Sequence, residues 1–156
     1  MKAPATLPYR HVLTLPTVPA SVSLARRTAQ VAYSGWDIRP SRHVLDAALL
    51  MLSELVTNSV RHAAVASPQL TVTYAAGQDA LAFAVHDRHP HRPDAASFTD
   101  GPGGLGLIGE LTTELGGAFS VLPDADGGGK NIWIVLPTRP GQRGTGSTER
   151  SVRGTS

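Results

Sequence analysis

The sequence predicts an α+β domain, a two-layer sandwich with a mostly antiparallel sheet and its helices on one face. Three observations carry that expectation. The hydrophobic period changes at Pro68 from helical spacing to strand-like runs. Two pairs of such runs are joined by turn-rich linkers of hairpin length. The helical stretches gather between the extended segments.

The elements follow in order. Residues 9–15 alternate loosely and read as a strand, stopped by Pro16 and Pro19. Residues 20–34 carry Val22, Ala25, Ala29 and Ala32 or Tyr33 at helical spacing, and Gly35 ends them. Pro40 and Ser41 open the longest helical signal, which runs to about residue 64. Residues 69–75 and 80–86 form a first hairpin around AGQD. The irregular stretch DRHPHRPDAASFTDGPGG follows, and a connection of that length in a compact domain is more often functional than not. Residues 105–115 return to helical spacing and stop at Gly116 and Gly117. Residues 118–122 and 131–136 make a second hairpin around PDADGGGK.

Composition bounds the function. A chain of 156 residues with 41% hydrophobic and 5% aromatic residues suits one domain with a core of Ala, Val and Leu. The absence of Cys excludes disulfides, thiolate zinc sites and cysteine nucleophiles. No apolar run approaches the ~18 residues of a membrane helix, and the first residues lack the apolar segment of a secretory signal. A cytoplasmic protein with no membrane partner is the expectation. Four Arg and one Glu fall in 139–156, with Lys2 and Arg10 at the other end, so residues 11–138 hold 8 basic and 11 acidic side chains. The positive charge belongs to the ends, which argues against direct nucleic-acid binding. Residues 1–8 and 139–156 read as disordered tails around a folded domain at 9–138.

On a helical projection of 41–64, Leu45, Ala48, Leu49, Leu52, Leu55, Val56, Val60 and Ala63 form a core arc opposite Glu54. Asn58 returns to within about 40° of Glu54 and Arg61 to about 20° on the other side, with His62 at the margin. A carboxylate and a carboxamide one turn apart can hold a hydrated divalent cation and activate a hydroxyl. The same pattern also describes an ordinary surface helix. Leu50 and Met51, near the Glu54 direction, fit a ligand-pocket wall better than a solvated face. Farther along, GPGGLGL immediately precedes a helix. Glycines there let backbone N–H groups approach a ligand, and the helix start favours anions.

The motifs ELVTNSVRHA, a strand running into Asp87, the loop, GPGGLGLIGEL and GGGKNIWIVLP occur in that order. Over residues 10–138 this resembles the GHKL (Bergerat-fold) ATPase and kinase superfamily. In particular it is similar to the anti-sigma-factor serine/threonine kinases and their stand-alone actinobacterial relatives. The resemblance implies ATP and Mg²⁺ as ligands. Asn58 would hold the Mg²⁺ and Glu54 would be the general base. Asp87 would accept a hydrogen bond from the adenine amino group, and Gly104, Gly106 and Leu107 would offer N–H groups to the phosphates. Lys130 corresponds loosely to the last box. The implied partner is an anti-anti-sigma (STAS-type) protein, a sigma factor, or both, with Arg26 on the first long helix facing it. A homodimer is compatible with the resemblance, although the composition demands none. One departure stands out: the family's Asp-x-Gly reads Asp87-Arg88-His89, so adenine binding is weakened or the loop takes another path.

Competing readings remain open at this level. His86, Asp87, His89, His91 and Asp94 could ligate zinc or nickel, though Pro90, Pro93, Arg88 and Arg92 break a regular ligand geometry and the two arginines disfavour a dication there. Arg26 and Arg27 equally suit a solvated pair. Trp36 and Trp133 suit core or interface positions. Two function classes result, an ATP-dependent protein kinase and a nucleotide-holding or degenerate module that regulates by protein binding. The short stretch before the long helix leaves no place for a phosphoacceptor hairpin, which disfavours a histidine kinase.

Overall fold

The computed structural model describes residues 7–93, 97–100 and 104–140. The tails expected to be disordered thus lie largely outside the described residues, as do Asp94 and the first three positions of GPGGLGL.

The elements are β1 (Tyr9–Pro16), α1 (Ser21–Gly35), α2 (Arg42–Ala63), β2 (Gln69–Ala76), β3 (Ala80–Asp87), α3 (Ser97–Asp100), α4 (Gly104–Leu115), β4 (Ala118–Pro123) and β5 (Lys130–Pro137). They form one sheet of order β1-β2-β3-β5-β4 in which every neighbouring pair is antiparallel. The α+β expectation holds, and each expected element is present within a residue or two of its place. The short α3 is the addition. Its four residues are too few for a hydrophobic period to announce it.

Strand alternation sorts the side chains onto two faces. Leu15, Leu70, Val72, Tyr74, Leu81, Phe83, Val85, Ile132, Ile134 and Leu136 point towards the helices and are buried there. They meet Ala25, Ala29 and Tyr33 of α1 and Val44, Ala48, Leu52, Leu55 and Val56 of α2. The outer face packs a smaller cluster of Ala75, Ala82, Ala84 and Trp133. There the Arg10 guanidinium lies 5.8 Å from the centre of the Trp133 ring. Trp36 stacks on Tyr9 at 5.7 Å.

Ser41 caps α2 by accepting a bond from the Val44 N–H at 3.3 Å. The Ser41 N–H in turn donates to the Thr138 carbonyl at 2.8 Å, which fixes the start of the helix to the end of β5. Helix α4 then crosses α2. Met51 is fully buried, with Thr112 Oγ1 directed at its sulfur at 3.8 Å, whereas Leu50 remains 40% exposed. Neither lines the cavity described below, and the burial of Met51 against α4 corrects the expectation drawn from its position near Glu54. The apolar surface there is the seat of α4. Among the described residues no helix is long and apolar enough to cross a membrane.

Two tyrosines bind α1 to the sheet. Tyr33 donates to the Ala82 carbonyl at 2.8 Å, and Tyr74 donates to the Ala25 carbonyl at 2.7 Å. Burial pushes both phenols up, and for Tyr33 the neighbouring Tyr74 adds to it, so both remain neutral donors. Replacing either with Phe should lower stability by about 1 kcal/mol, read as a lower denaturant midpoint at unchanged slope.

Candidate functional site

The last two turns of α2 repeat at i, i+3, i+4, i+7 and i+8, which aligns Leu55, Asn58, Ser59, His62 and Ala63 along one wall of a cavity of about 510 Å³. Val85 and Asp87 at the end of β3, and Ile132 and Lys130 at the start of β5, form its floor. His89, His91 and Pro93 of the following loop, with Ser97 and Leu105, complete the lining. The volume falls within the usual range for small-molecule sites, and apolar walls around a few convergent polar groups are their usual construction.

The polar floor centres on Asp87, which is only 4% exposed. The β3–β5 register sets Asp87 opposite Lys130. Lys130 Nζ donates to Asp87 Oδ1 at 2.7 Å, and the His89 N–H reaches the same oxygen at 3.1 Å. Ser59 Oγ donates to Oδ2 at 2.7 Å. Lys130 Nζ also approaches the His89 carbonyl at 3.4 Å. A buried carboxylate is tolerated only with such compensation. The His89 departure therefore resolves into a turn in which the Asp87 side chain accepts the amide two residues on. His89 needs no left-handed backbone, because Asp37 is the positive-φ non-glycine among the described residues.

Beside the cavity, Glu54 meets the start of α4. A Cβ at Gly104 would collide with the Glu54 carboxylate, so only glycine allows this approach. The first four N–H groups of a helix have no partner within it, and they carry roughly half a positive charge. In α4 these belong to Gly104, Leu105, Gly106 and Leu107. Asn58, Asp87 and Lys130 thus line the cavity, and Glu54 and Gly104 touch at its side. Gly106 and Leu107 share the first turn of α4 without lining the cavity, whereas Leu105, not singled out from the sequence, does line it.

The Asn58 amide oxygen, one turn from the Glu54 carboxylate, is a hard oxygen donor of the kind Mg²⁺ takes. Among the described residues no three His, Asp or Glu side chains converge to hold a metal ion. This donor set fits a cation held by one side chain together with ligand phosphates.

The histidine-rich run divides between the two faces of the sheet. His89 and His91 turn to the cavity, while His86 points to the outer face and meets Asp124 at 2.9 Å. Arg88 bonds Asp124 at 2.6 Å and Asp126 at 2.9 Å, clasping the β4–β5 turn. Gly129 stands there because a Cβ would strike the Asp124 carboxylate and the Asp87 carbonyl. Gly127, by contrast, has open space around it and a φ of 72°, so it serves the turn. Arg26 is exposed and donates to Ser53 Oγ at 3.1 Å, which places its guanidinium beside the residue preceding Glu54.

The sequence reading did not single out Ser59 or the Asp87–Lys130 pair. Ser59 falls on the core side of the α2 projection, where a hydroxyl requires an acceptor. Lys130 shares the inward phase of Ile132 and Ile134, which marks it as facing the core.

A family model described as a histidine kinase-like ATPase domain matches residues 15–135, from β1 into β5. No curated protein matches the chain.

The clasp gives a pH expectation. Bonds from Arg88 and the Gly128 amide hold Asp126 down at about 2. Burial pushes Asp124 up, but the bonds from His86 and Arg88 outweigh it and leave that carboxyl below its usual value. Depressed carboxyls stabilise the fold above their unfolded pKa, and that stability is lost as pH falls through the folded value. Acid should therefore weaken the native state between about pH 4 and pH 2. Arg88→Ala should flatten this dependence in denaturation midpoints measured across that window.

Proposed function

The chain belongs to the histidine kinase-like ATPase (GHKL) domain family, a family of ATP-binding domains, and on that premise we propose that it is an ATP-dependent serine/threonine protein kinase of the anti-sigma-factor type. Its protein substrate is an anti-anti-sigma (STAS-type) partner, and its place of work is the cytoplasm. The observation that carries this reading is the meeting of Glu54 with the first turn of α4, one helical turn from Asn58.

In this reading Asp87 and Lys130 seat the base on the cavity floor, and the first-turn N–H groups of α4 hold the phosphates. Asn58 offers its amide oxygen to Mg²⁺, which when bound supplies charge neutralisation across the phosphates. Glu54 accepts the proton from the partner's serine or threonine hydroxyl. That oxygen bonds to the γ-phosphorus while the bond to the β–γ bridging oxygen breaks, and ADP leaves. Arg26, anchored on Ser53, faces the partner beside Glu54. Positioning and charge neutralisation do most of the work in such transfers.

One observation favours a second reading. His89 lines the cavity where the family pattern has glycine, which suits a module that binds nucleotide and regulates its partner without phosphate transfer.

Mg-ATP should raise the thermal midpoint, by about 2.7 kcal/mol of stabilisation at a hundredfold excess over Kd. Asn58→Ala should abolish the shift. With labelled ATP and candidate anti-anti-sigma proteins, the kinase reading predicts label transfer. It also predicts that Glu54→Ala keeps the thermal shift while lowering transfer at least about 100-fold. A thermal shift with no transfer to any such partner selects the module, and no shift at millimolar Mg-ATP discards both.

A further inference from the structure

We infer that Arg88 is a positioning residue for the nucleotide site: from outside the cavity it clasps the β4–β5 turn, holds Lys130 on Asp87 and thereby sets nucleotide affinity. This inference rests on the nucleotide reading above. Lys130 stands where the sheet does least to hold it. It is the first residue of β5, and its pairings with Asp87 and Pro123 are the terminal ones of both ladders. The ends of elements fray, and a proline has no N–H to bond across the last pair. Behind Lys130 lies Gly127-Gly128-Gly129, which has no side chain with which to anchor it.

Arg88 supplies that anchor. Its main-chain N–H donates to Ser67 Oγ at 2.9 Å, and Ser67 is only 2% exposed, so the root of the side chain is fixed to the segment after α2. The guanidinium then donates to Asp124 at 2.6 Å and to the two Asp126 oxygens at 3.0 and 2.9 Å. His86 holds the same Asp124 at 2.9 Å. The turn lies directly on this side chain. A Cβ at Gly128 would strike Nη2 of Arg88, and one at Gly129 would strike the Asp124 carboxylate. The Asp124 N–H donates to the Gly129 carbonyl at 3.0 Å, one residue before Lys130. Held at both carboxylates, the turn delivers Lys130 Nζ to Asp87 Oδ1.

A single exposed ion pair would contribute little. One guanidinium shared by two carboxylates on a fixed main chain is different, because its planar fork sets direction as well as distance. Arg88 does not line the cavity, whereas its neighbours Asp87 and His89 do, as does Lys130. Its effect on a ligand therefore passes through those residues.

The test is calorimetric binding of Mg-ATP to the wild-type chain, Arg88→Ala, Arg88→Lys, Asp126→Ala and the double variant Arg88→Ala/Asp126→Ala, with the denaturation midpoint of each. Affinity should fall at least about tenfold in Arg88→Ala and about threefold in Asp126→Ala. The double variant should lie within about twofold of Arg88→Ala, because the same clasp is lost in both. Arg88→Lys, a point charge that meets one carboxylate, should fall between wild type and Arg88→Ala. Should Arg88→Ala not fold, Asp126→Ala carries the test, since it removes only the more exposed partner. A clasp that merely stabilised the fold would lower the midpoint and leave the affinity of the folded chain unchanged. That result, or additive losses in the double variant, overturns the proposal and leaves the nucleotide reading standing. Acylation by a succinimidyl ester, located by mass spectrometry, reads the same contact without nucleotide. The chain has one other lysine, Lys2, as its reference. Modification of Lys130 relative to Lys2 should rise at least about tenfold in Arg88→Ala, and an unchanged ratio overturns the proposal. A wild-type chain that binds no Mg-ATP removes the nucleotide reading and the affinity claim with it, while the acylation ratio still decides whether Arg88 holds Lys130.

Discussion

The interaction on which the site depends is the ring of donors around the Asp87 carboxylate. A charge this deeply buried persists only if several groups satisfy it together, and here they arrive from three separate parts of the chain. Ser59 comes from α2, Lys130 from β5, and the His89 amide from the turn after β3. Moving any one element would leave a buried charge short of a partner. The carboxylate therefore fixes how α2 sits over the sheet and how the loop departs from it, and the cavity is the space those constraints leave.

Helix α2 performs two tasks because its faces are chemically distinct. One arc of Leu, Val and Ala buries against β3 and β5 and sets the height of the helix above the sheet. The neighbouring stripe turns Asn58, Ser59 and His62 to the cavity. Glu54 stands off that stripe, against the start of α4, and the absence of a side chain at Gly104 is what lets helix and carboxylate meet. A carboxylate at a helix start is electrostatically favoured. Glu54 thus lies beside the start of α4.

Most of the architecture was legible in the sequence because it rests on local periodicity. Pro16, Ser41, Pro68, Gly116 and the two hairpin linkers punctuate the chain where its elements begin or end. The arc from Leu45 to Ala63 named the buried face of α2 correctly. Met51 was misread, since an apolar side chain beside a polar stripe looks alike whether a ligand or another helix covers it. The Asp87–Lys130 pair was not legible for a different reason. The two residues are joined by strand register alone, and the separation of β3 and β5 in sequence hides the order in which they pair. His89 was read as a missing glycine, but the Asx-type turn it enters needs no positive φ. His89 also contributes to the cavity lining.

The central claim is that one cavity joins the Asp87 floor to the first-turn N–H groups of α4 around a single ligand. Amide hydrogen exchange with and without Mg-ATP tests it most directly. The account predicts slowed exchange at residues 104–107 and at the His89 amide, with the outer edge strand β1 unchanged. Bound nucleotide that protects amides elsewhere, while the start of α4 exchanges as before, would contradict it.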